Sequence, residues 1–325
     1  MNIVVVVSGG LTETLQAAPA IAALASEGGE RVLVACPPTS APLAERLAGA
    51  GDLLLVDGLA GRPSLRGLNR LWLALRGRRL DVAVLCSESA GVRAAVYLAA
   101  IPRRIGCAAG SGNRLLSDRV ACVPGGNRAY SWLSLCSPLG FRPHYLPDSV
   151  TPGEEAAAAA EQLLLGTGIG DGRPLVVITP GRGFADGPVA AWPVERYAHL
   201  ANRLAARHGA GVVLLGEERD REAAETMRID LAADMLDLCG SVDLATAAAV
   251  IARCDLLIGP DTPLLHLAAA VGTVSVGLFG STDGRVRAPA GPGHRVVQAL
   301  PNGAGPASLD RIRVDDVLAG VESAL

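Results

Sequence analysis

The chain has no lysine: all 29 of its basic residues are arginine. Schiff-base and P-loop lysine chemistry are therefore excluded at the outset. Aromatic residues are scarce, with three Phe, three Trp and four Tyr in 325 residues. Ala, Leu, Val and Gly must then do the packing, which suits close-fitting helices on buried parallel strands. No run approaches the roughly 20 apolar residues that span a bilayer. The opening MNIVVVVSGG has no positive segment and does not read as a signal peptide. Seven cysteines without a C-x-x-C argue against a disulfide framework or zinc ribbon, and for a reducing, cytoplasmic setting. With 19% charged residues and a net charge of −3, disorder and a strongly basic nucleic-acid surface are both excluded. D-x-D, H-E-x-x-H, G-x-x-x-x-G-K-[ST] and G-x-S-x-G are all missing. Metal, P-loop and α/β-hydrolase chemistry have no motif to rest on.

What is present is alternation. Strands are expected at Ile3–Val7, 31–36, Asp52–Val56 and Asp81–Cys86, with helices at Glu13–Ala25, Ala41–Ala48, Ser64–Leu75 and Gly91–Ala100. Around Gly106–Gly126 the pattern turns irregular. Prolines at 143, 147 and 152 and the glycine run 166–172 flank one Ala-rich helix, Glu154–Leu165, and place a linker near residue 150. The glycine run precedes a strand instead of following one, so it reads as a connector and not as a dinucleotide fingerprint.

Alternation then resumes. Strands are expected at Leu175–Thr179, Gly211–Leu215, Met235–Leu238, Asp255–Ile258 and Val274–Phe279. Helices are expected at Pro193–Arg207, Glu218–Met227, Leu244–Arg253 and Thr262–Ala270, with a terminal helix at Leu309–Ala324 that could return to the first domain. The fold class is α/β, two Rossmann-like doubly wound parallel-sheet domains over residues 1–150 and 151–325. Their strand C-termini are expected to face an interdomain cleft, where such folds bind ligands.

Four segments could carry chemistry. Ser8-Gly9-Gly10-Leu11-Thr12-Glu13 follows the first strand; Thr12 and Glu13 suit a helix start, and Glu13 also suits a general base. Thr179-Pro180-Gly181-Arg182 follows the first strand of the second half, where glycine lets a ligand approach and Arg182 can pair with phosphate. Gly216 to Asp220 offers an acidic residue after a strand, either a ribose ligand or the charged first turn of a solvated helix. Gly259-Pro260-Asp261-Thr262-Pro263 leads to His266. There Asp261 or Thr262 is expected to cap a helix whose free amides would suit a diphosphate. His266 is a ligand or a packed core residue. The arginines at 62, 66, 70, 76, 78 and 79 could face an anionic acceptor, with a solvated helix face as the ordinary explanation.

Taken in order, these segments resemble glycosyltransferase family 9, the ADP-heptose heptosyltransferases. The likeness rests on Pro180-Gly181 with Trp192-Pro193-x-Glu195-Arg196, on Val212–Gly216 with Glu218–Glu225, and on Leu238-Cys239-Gly240-Ser241. It continues through Asp261-Thr262-x-x-x-His266-Leu267-Ala268-Ala269-Ala270, Leu278-Phe279-Gly280-x-Thr282-Asp283 and, more loosely, Arg103-Arg104-Ile105-Gly106. The resemblance implies a GT-B fold and an inverting, metal-independent sugar transfer with no cofactor. The substrates implied are a nucleotide sugar, ADP-heptose first, and a sugar-containing or small-molecule acceptor. Glu13 stands where the family has its aspartate base, with Gly9, Gly10 and Thr12 on the acceptor side. Thr179, Gly181, Arg182, Gly216, Asp220, Asp261, Thr262, Pro263 and His266 fall on the donor side.

The chain departs from the family at three points. The Gly-Asp pair is Thr12-Glu13, the phosphate-facing Lys is Ala190, and Pro260 and Pro263 replace Asn and Gly. Arg182 is expected to compensate for the missing Lys, while each Pro removes a backbone N–H. Alternatives are a non-catalytic nucleotide-sugar binder and an NAD-dependent oxidoreductase or epimerase. No nucleic-acid partner or transmembrane segment is expected; peripheral contact with a membrane stays open.

Overall fold

A strand covered on both faces must be apolar at every position, and Ile3–Val7 is: all five residues are buried. This is β1 of a computed structural model that describes residues 1–324 except 29–31, 124, 143–147, 168, 170, 171, 182–190 and 302–306. Two units emerge, Met1–Thr151 and Pro152–Leu325.

The first unit continues with α1 (Leu11–Gly28), β2 (Val32–Cys36), α2 (Ala41–Ala44), β3 (Ala50–Leu55), α3 (Leu65–Leu75) and β4 (Val82–Cys86). It ends with α4 (Ala90–Leu98), β5 (Arg103–Cys107), β6 (Asp118–Val120) and α5 (Arg128–Leu133). Its parallel sheet has the order β3-β2-β1-β4-β5-β6. Leu71 and Leu75 of α3 and Val92, Ala95 and Val96 of α4 close over Val4, Val6, Ala83 and Leu85. α1 packs on β1, β2 and β3 and against α5.

The second unit runs α6 (Glu154–Leu165), β7 (Leu175–Ile178), α7 (Val194–His208), β8 (Gly211–Leu214), α8 (Arg221–Asp230) and β9 (Met235–Asp237). Then come α9 (Leu244–Ala252), β10 (Leu256–Pro260), α10 (Pro263–Ala270), β11 (Val274–Phe279), α11 (Gly284–Arg287), β12 (Arg295–Gln298) and α12 (Val314–Glu322). The second parallel sheet has the order β12-β11-β10-β7-β8-β9. The terminal helix α12 packs on α7, β11 and β12 of its own unit. Trp192, fully buried, meets Tyr197 edge-on at 4.5 Å and donates its indole N–H to the Ile312 carbonyl at 2.8 Å.

Some local expectations fail for identifiable reasons. The helix expected over Ala41–Ala48 stops at Ala44, because Leu47 bridges to Val150 and the Ala48 amide donates to Ser149. Backbone pairing with a distant segment outcompetes the helix. The irregular stretch after Gly106 contains β6, whose pairing sets Cys107 opposite Val120. That register brings Cys107 and Cys122 to a Cα separation of 5.5 Å, and they form a disulfide, against the expectation of free thiols. The other five cysteines are free and buried. Burial pushes the Cys36 thiol up to about 11 and those of Cys136 and Cys254 up to about 12, so none of these three is a thiolate at neutral pH. Among the described residues no helix is long and apolar enough to cross a membrane.

Candidate functional site

In the first unit the C-terminal end of β1 turns through Gly9, whose φ of +125° favours glycine. A Cβ there would stand 2.5 Å from the Glu13 Cγ, so no larger residue fits while Glu13 keeps its place. Glu13 folds back over this turn and its Oε2 accepts the Gly10 amide at 2.7 Å. The carboxylate therefore caps α1 from within its first turn, a favourable place for negative charge. Gly9 donates its own amide to Leu59 at 2.9 Å. Ser8 and Ser87, at the ends of β1 and β4, share a 2.5 Å hydrogen bond.

Behind this turn, Thr12 does not cap. Among the described residues its hydroxyl is buried without a hydrogen-bond partner, as are both polar atoms of Gln16 one turn later. Unpaired buried polar atoms are unfavourable unless something else engages them. Gln16 was not singled out from the sequence. The signal was a polar residue four after Thr12 in a stretch, Leu15–Ala25, that is otherwise apolar.

In the second unit the strand ends bring most of the expected donor residues together. The Asp220 carboxylate lies 3.0 Å from where a Cβ on Gly181 would stand and 2.8 Å from one on Gly216, so both glycines make room for it. Asp220 Oδ2 accepts the Glu217 amide at 2.8 Å and closes a short turn, which is the charged-first-turn role. The Thr179 hydroxyl would collide with any side chain at Gly259. Among the described residues Thr179 Oγ1, Thr262 Oγ1 and His266 Nε2 are buried and make no hydrogen bond. Arg182 and Ala190 lie outside the described residues.

Neither expected cap of α10 forms. Thr262 makes no side-chain cap bond, and Pro263 sits in the first turn where its missing N–H thins the donor set. Asp261 instead turns to Arg287 at the end of α11. Arg287 Nε donates to Asp261 Oδ2 and Nη2 to Oδ1 at 3.4 Å, while His266 Nε2 stands 3.7 Å from Oδ1. Burial would raise the Asp261 carboxyl, but His266 and Arg287 beside it hold it below the ordinary carboxylate range. Arg287, like Gln16, is a site residue that sequence reasoning missed. Among the described residues no group of three His, Cys, Asp or Glu side chains is placed to hold a metal ion.

A second histidine bears on acid stability. His294 Nδ1 lies 3.0 Å from the Ser275 hydroxyl, and burial, then the charges of His266 and Arg295, lower its pKa to about 4. The unfolded chain, with His near 6.5, binds more protons between these values, so stability rises with pH across that window. The second unit should thus lose up to roughly 3 kcal/mol as pH falls from 6.5 to 4. Asp261 adds its loss only below the ordinary carboxylate range. Melting curves against pH for the parent and His294→Gln check this: the variant should show a flatter profile above pH 4, and an equally steep one would exclude His294 as the cause.

Comparison with known proteins follows the same lines. The model of "Glycosyltransferase family 9 (heptosyltransferase)" matches residues 68–309. A lipooligosaccharide heptosyltransferase 2 from Haemophilus influenzae is 34% identical over 115 residues, which cover 34% of this chain and 32% of that protein. The matched stretch is thus about a third of the curated relative's length. Among solved structures, a family 9 glycosyl transferase from Veillonella parvula superposes with a TM-score of 0.82 at 18% identity, covering 99% of this chain and 96% of that one. E. coli heptosyltransferase WaaC with ADP-2-deoxy-2-fluoro heptose gives 0.72 at 18% identity, covering 100% of both chains. At these identities the likeness shows the fold, two Rossmann-like units of the GT-B class.

Proposed function

Because the chain belongs to glycosyltransferase family 9, we propose that it moves a sugar from a nucleoside diphosphate donor, ADP-heptose first, onto an acceptor hydroxyl. The observation that carries this is the pair of buried hydroxyls of Thr179 and Thr262, which have no hydrogen-bond partner among the described residues, beside His266 and Asp261 in the second unit. A donor's phosphate and sugar oxygens would supply the missing partners. Asp220, four residues after Gly216, would take the ribose, and Asp261 would fix Arg287 and His266 around the leaving group. The E. coli relative's complex with a fluorinated ADP-heptose supports this choice of donor.

In the proposed reaction Glu13 accepts the proton of the acceptor hydroxyl. The acceptor oxygen bonds to the anomeric carbon from the face opposite the diphosphate, the carbon–oxygen bond to phosphate breaks, and ADP departs with its electron pair. Configuration inverts in this single displacement, and no metal takes part. The setting proposed is the cytoplasm, on five free cysteines set against the single Cys107–Cys122 bond. The acceptor is a hydroxyl of a sugar or other small molecule.

A second reading is a nucleotide-sugar binder without turnover, favoured by one observation: the Gly10 amide already engages Glu13. Calorimetry against ADP-heptose, a uridine diphosphate sugar and NAD, followed by an assay for released ADP, separates the readings. Transfer is expected to show ADP-sugar binding and ADP release that survives EDTA. Binding without release would favour the second reading, and activity lost to EDTA and restored by magnesium would remove the metal-free step.

A further inference from the structure

Residues 58–80 hold six arginines and no acidic residue, in a chain whose net charge is −3. This stretch builds α3. One face of α3, carrying Leu71 and Leu75, is fully buried. The opposite face is not the polar surface of an ordinary water-facing helix. Leu65 is 85% exposed and Leu73 49% exposed, and with Asn69 they form one stripe at intervals of four. Helical spacing puts Arg66 and Arg70 along one side of that stripe and Arg76 along the other.

The apolar surface continues past α3. Trp72 is half-buried, donates its indole N–H to the Leu98 carbonyl at 3.2 Å, and carries the Arg76 guanidinium 4.8 Å from its ring centre. At the end of α4 Tyr97 is 50% and Leu98 66% exposed, with Arg104 5.2 Å from the Tyr97 ring. Asp57 reaches this face, 3.2 Å from Arg70, but both side chains are more than half exposed, so water screens the pair.

We propose that α3 and the end of α4 form a docking face for an anionic lipid bilayer. Exposed leucines between arginines, with an aromatic ring at the border, match what an interfacial helix presents to headgroups and acyl chains. A nucleic acid or a soluble anion would engage the arginines and leave Leu65, Leu73 and Leu98 in water. The face also starts beside the candidate acceptor site: Leu59 accepts the Gly9 amide, and Ser64, which caps α3, is tied to Gly58. An acceptor anchored in the bilayer would then lie near Glu13, a corollary that rests on the proposed transfer. Docking itself does not.

Flotation of the full chain with vesicles tests the proposal. It should bind phosphatidylglycerol–phosphatidylcholine vesicles, much less pure phosphatidylcholine, and weaken as salt rises. Each arginine at such a surface is worth roughly a fivefold change in partitioning, so the triple variant R66Q/R70Q/R76Q should bind roughly a hundredfold less. Leu65→Ser with Leu73→Ser should also weaken binding, by about tenfold or more. Because these side chains are largely exposed, unchanged melting temperatures and unchanged binding of ADP-heptose would show the fold and donor site intact. Equal binding to neutral vesicles, no vesicle binding, undiminished binding by the triple variant, or capture by an RNA oligomer but not by vesicles would each overturn the proposal. Failure of transfer with docking preserved would instead count against the proposed reaction alone.

Discussion

Glu13→Gln should lower turnover by about 10²–10⁴, the usual effect of removing a general base, while leaving the fold nearly untouched. Glutamine keeps an acceptor oxygen for the Gly10 amide, which Glu13 Oε2 now receives at 2.7 Å, but it cannot take the acceptor's proton. The lost charge at the start of α1 should shift stability by at most about 1 kcal/mol. Donor affinity should barely move, because Glu13 lies in the first unit and the donor residues in the second. Glu13→Asp restores the family's aspartate, yet one methylene fewer retracts the carboxylate from the Gly9–Gly10 turn, so partial activity is expected. If instead the carboxylate only caps α1, both variants keep near-parental turnover. Steady-state rates and melting temperatures for the pair decide the matter, and a fully active Glu13→Gln would end the base assignment.

The parts of the fold legible in the sequence are those whose burial is complete. β1, β4, β7 and β10 read as apolar runs because helices cover them on both faces. The strands that escaped are at or beside the sheet edges. β12 alternates half-buried with exposed residues, Arg295 among them, and β5 opens on two half-buried arginines. Arg103 can stand there because Asp118 of β6 pairs with it at 3.0 Å. Neither strand shows its charge balance until the other is in place. The Cys107–Cys122 bond was hidden for the same reason, since only the β5–β6 register makes the two neighbours.

The candidate site divides along similar lines. Loops after strands are predictable positions for ligands in an α/β sheet, and Gly181, Gly216 and Asp220 do meet there. Local rules misjudged the side chains within them. Capping preferences pointed to Asp261 or Thr262 for α10, but a guanidinium 26 residues along the chain takes the Asp261 carboxylate. Arg287 sits in the short run Gly284–Arg287, which carries no pattern distinguishing it from a surface turn.

That ion pair sets the second large effect. Asp261 is 5% exposed and Arg287 21%, so the two charges are not equally protected. Arg287→Ala removes the nearer cation and leaves a buried carboxylate with only His266 beside it, 3.7 Å away. Breaking a buried pair in this way should destabilise the second unit by about 3–5 kcal/mol. Asp261→Asn should be milder, because the more exposed guanidinium can turn to water. Both variants should bind ADP-heptose roughly ten- to hundredfold less well, since Asp261 fixes the groups that meet the donor. The double variant Asp261→Asn/Arg287→Met separates the two effects. It strands no charge, so it should recover much of the stability lost in Arg287→Ala, yet it restores neither the carboxylate nor the groups it orients. Calorimetry with ADP-heptose alongside thermal melting reads both quantities. Parental affinity in the double variant would reduce the pair to a structural clamp and move the donor contacts to the Thr179, Thr262 and His266 side chains alone.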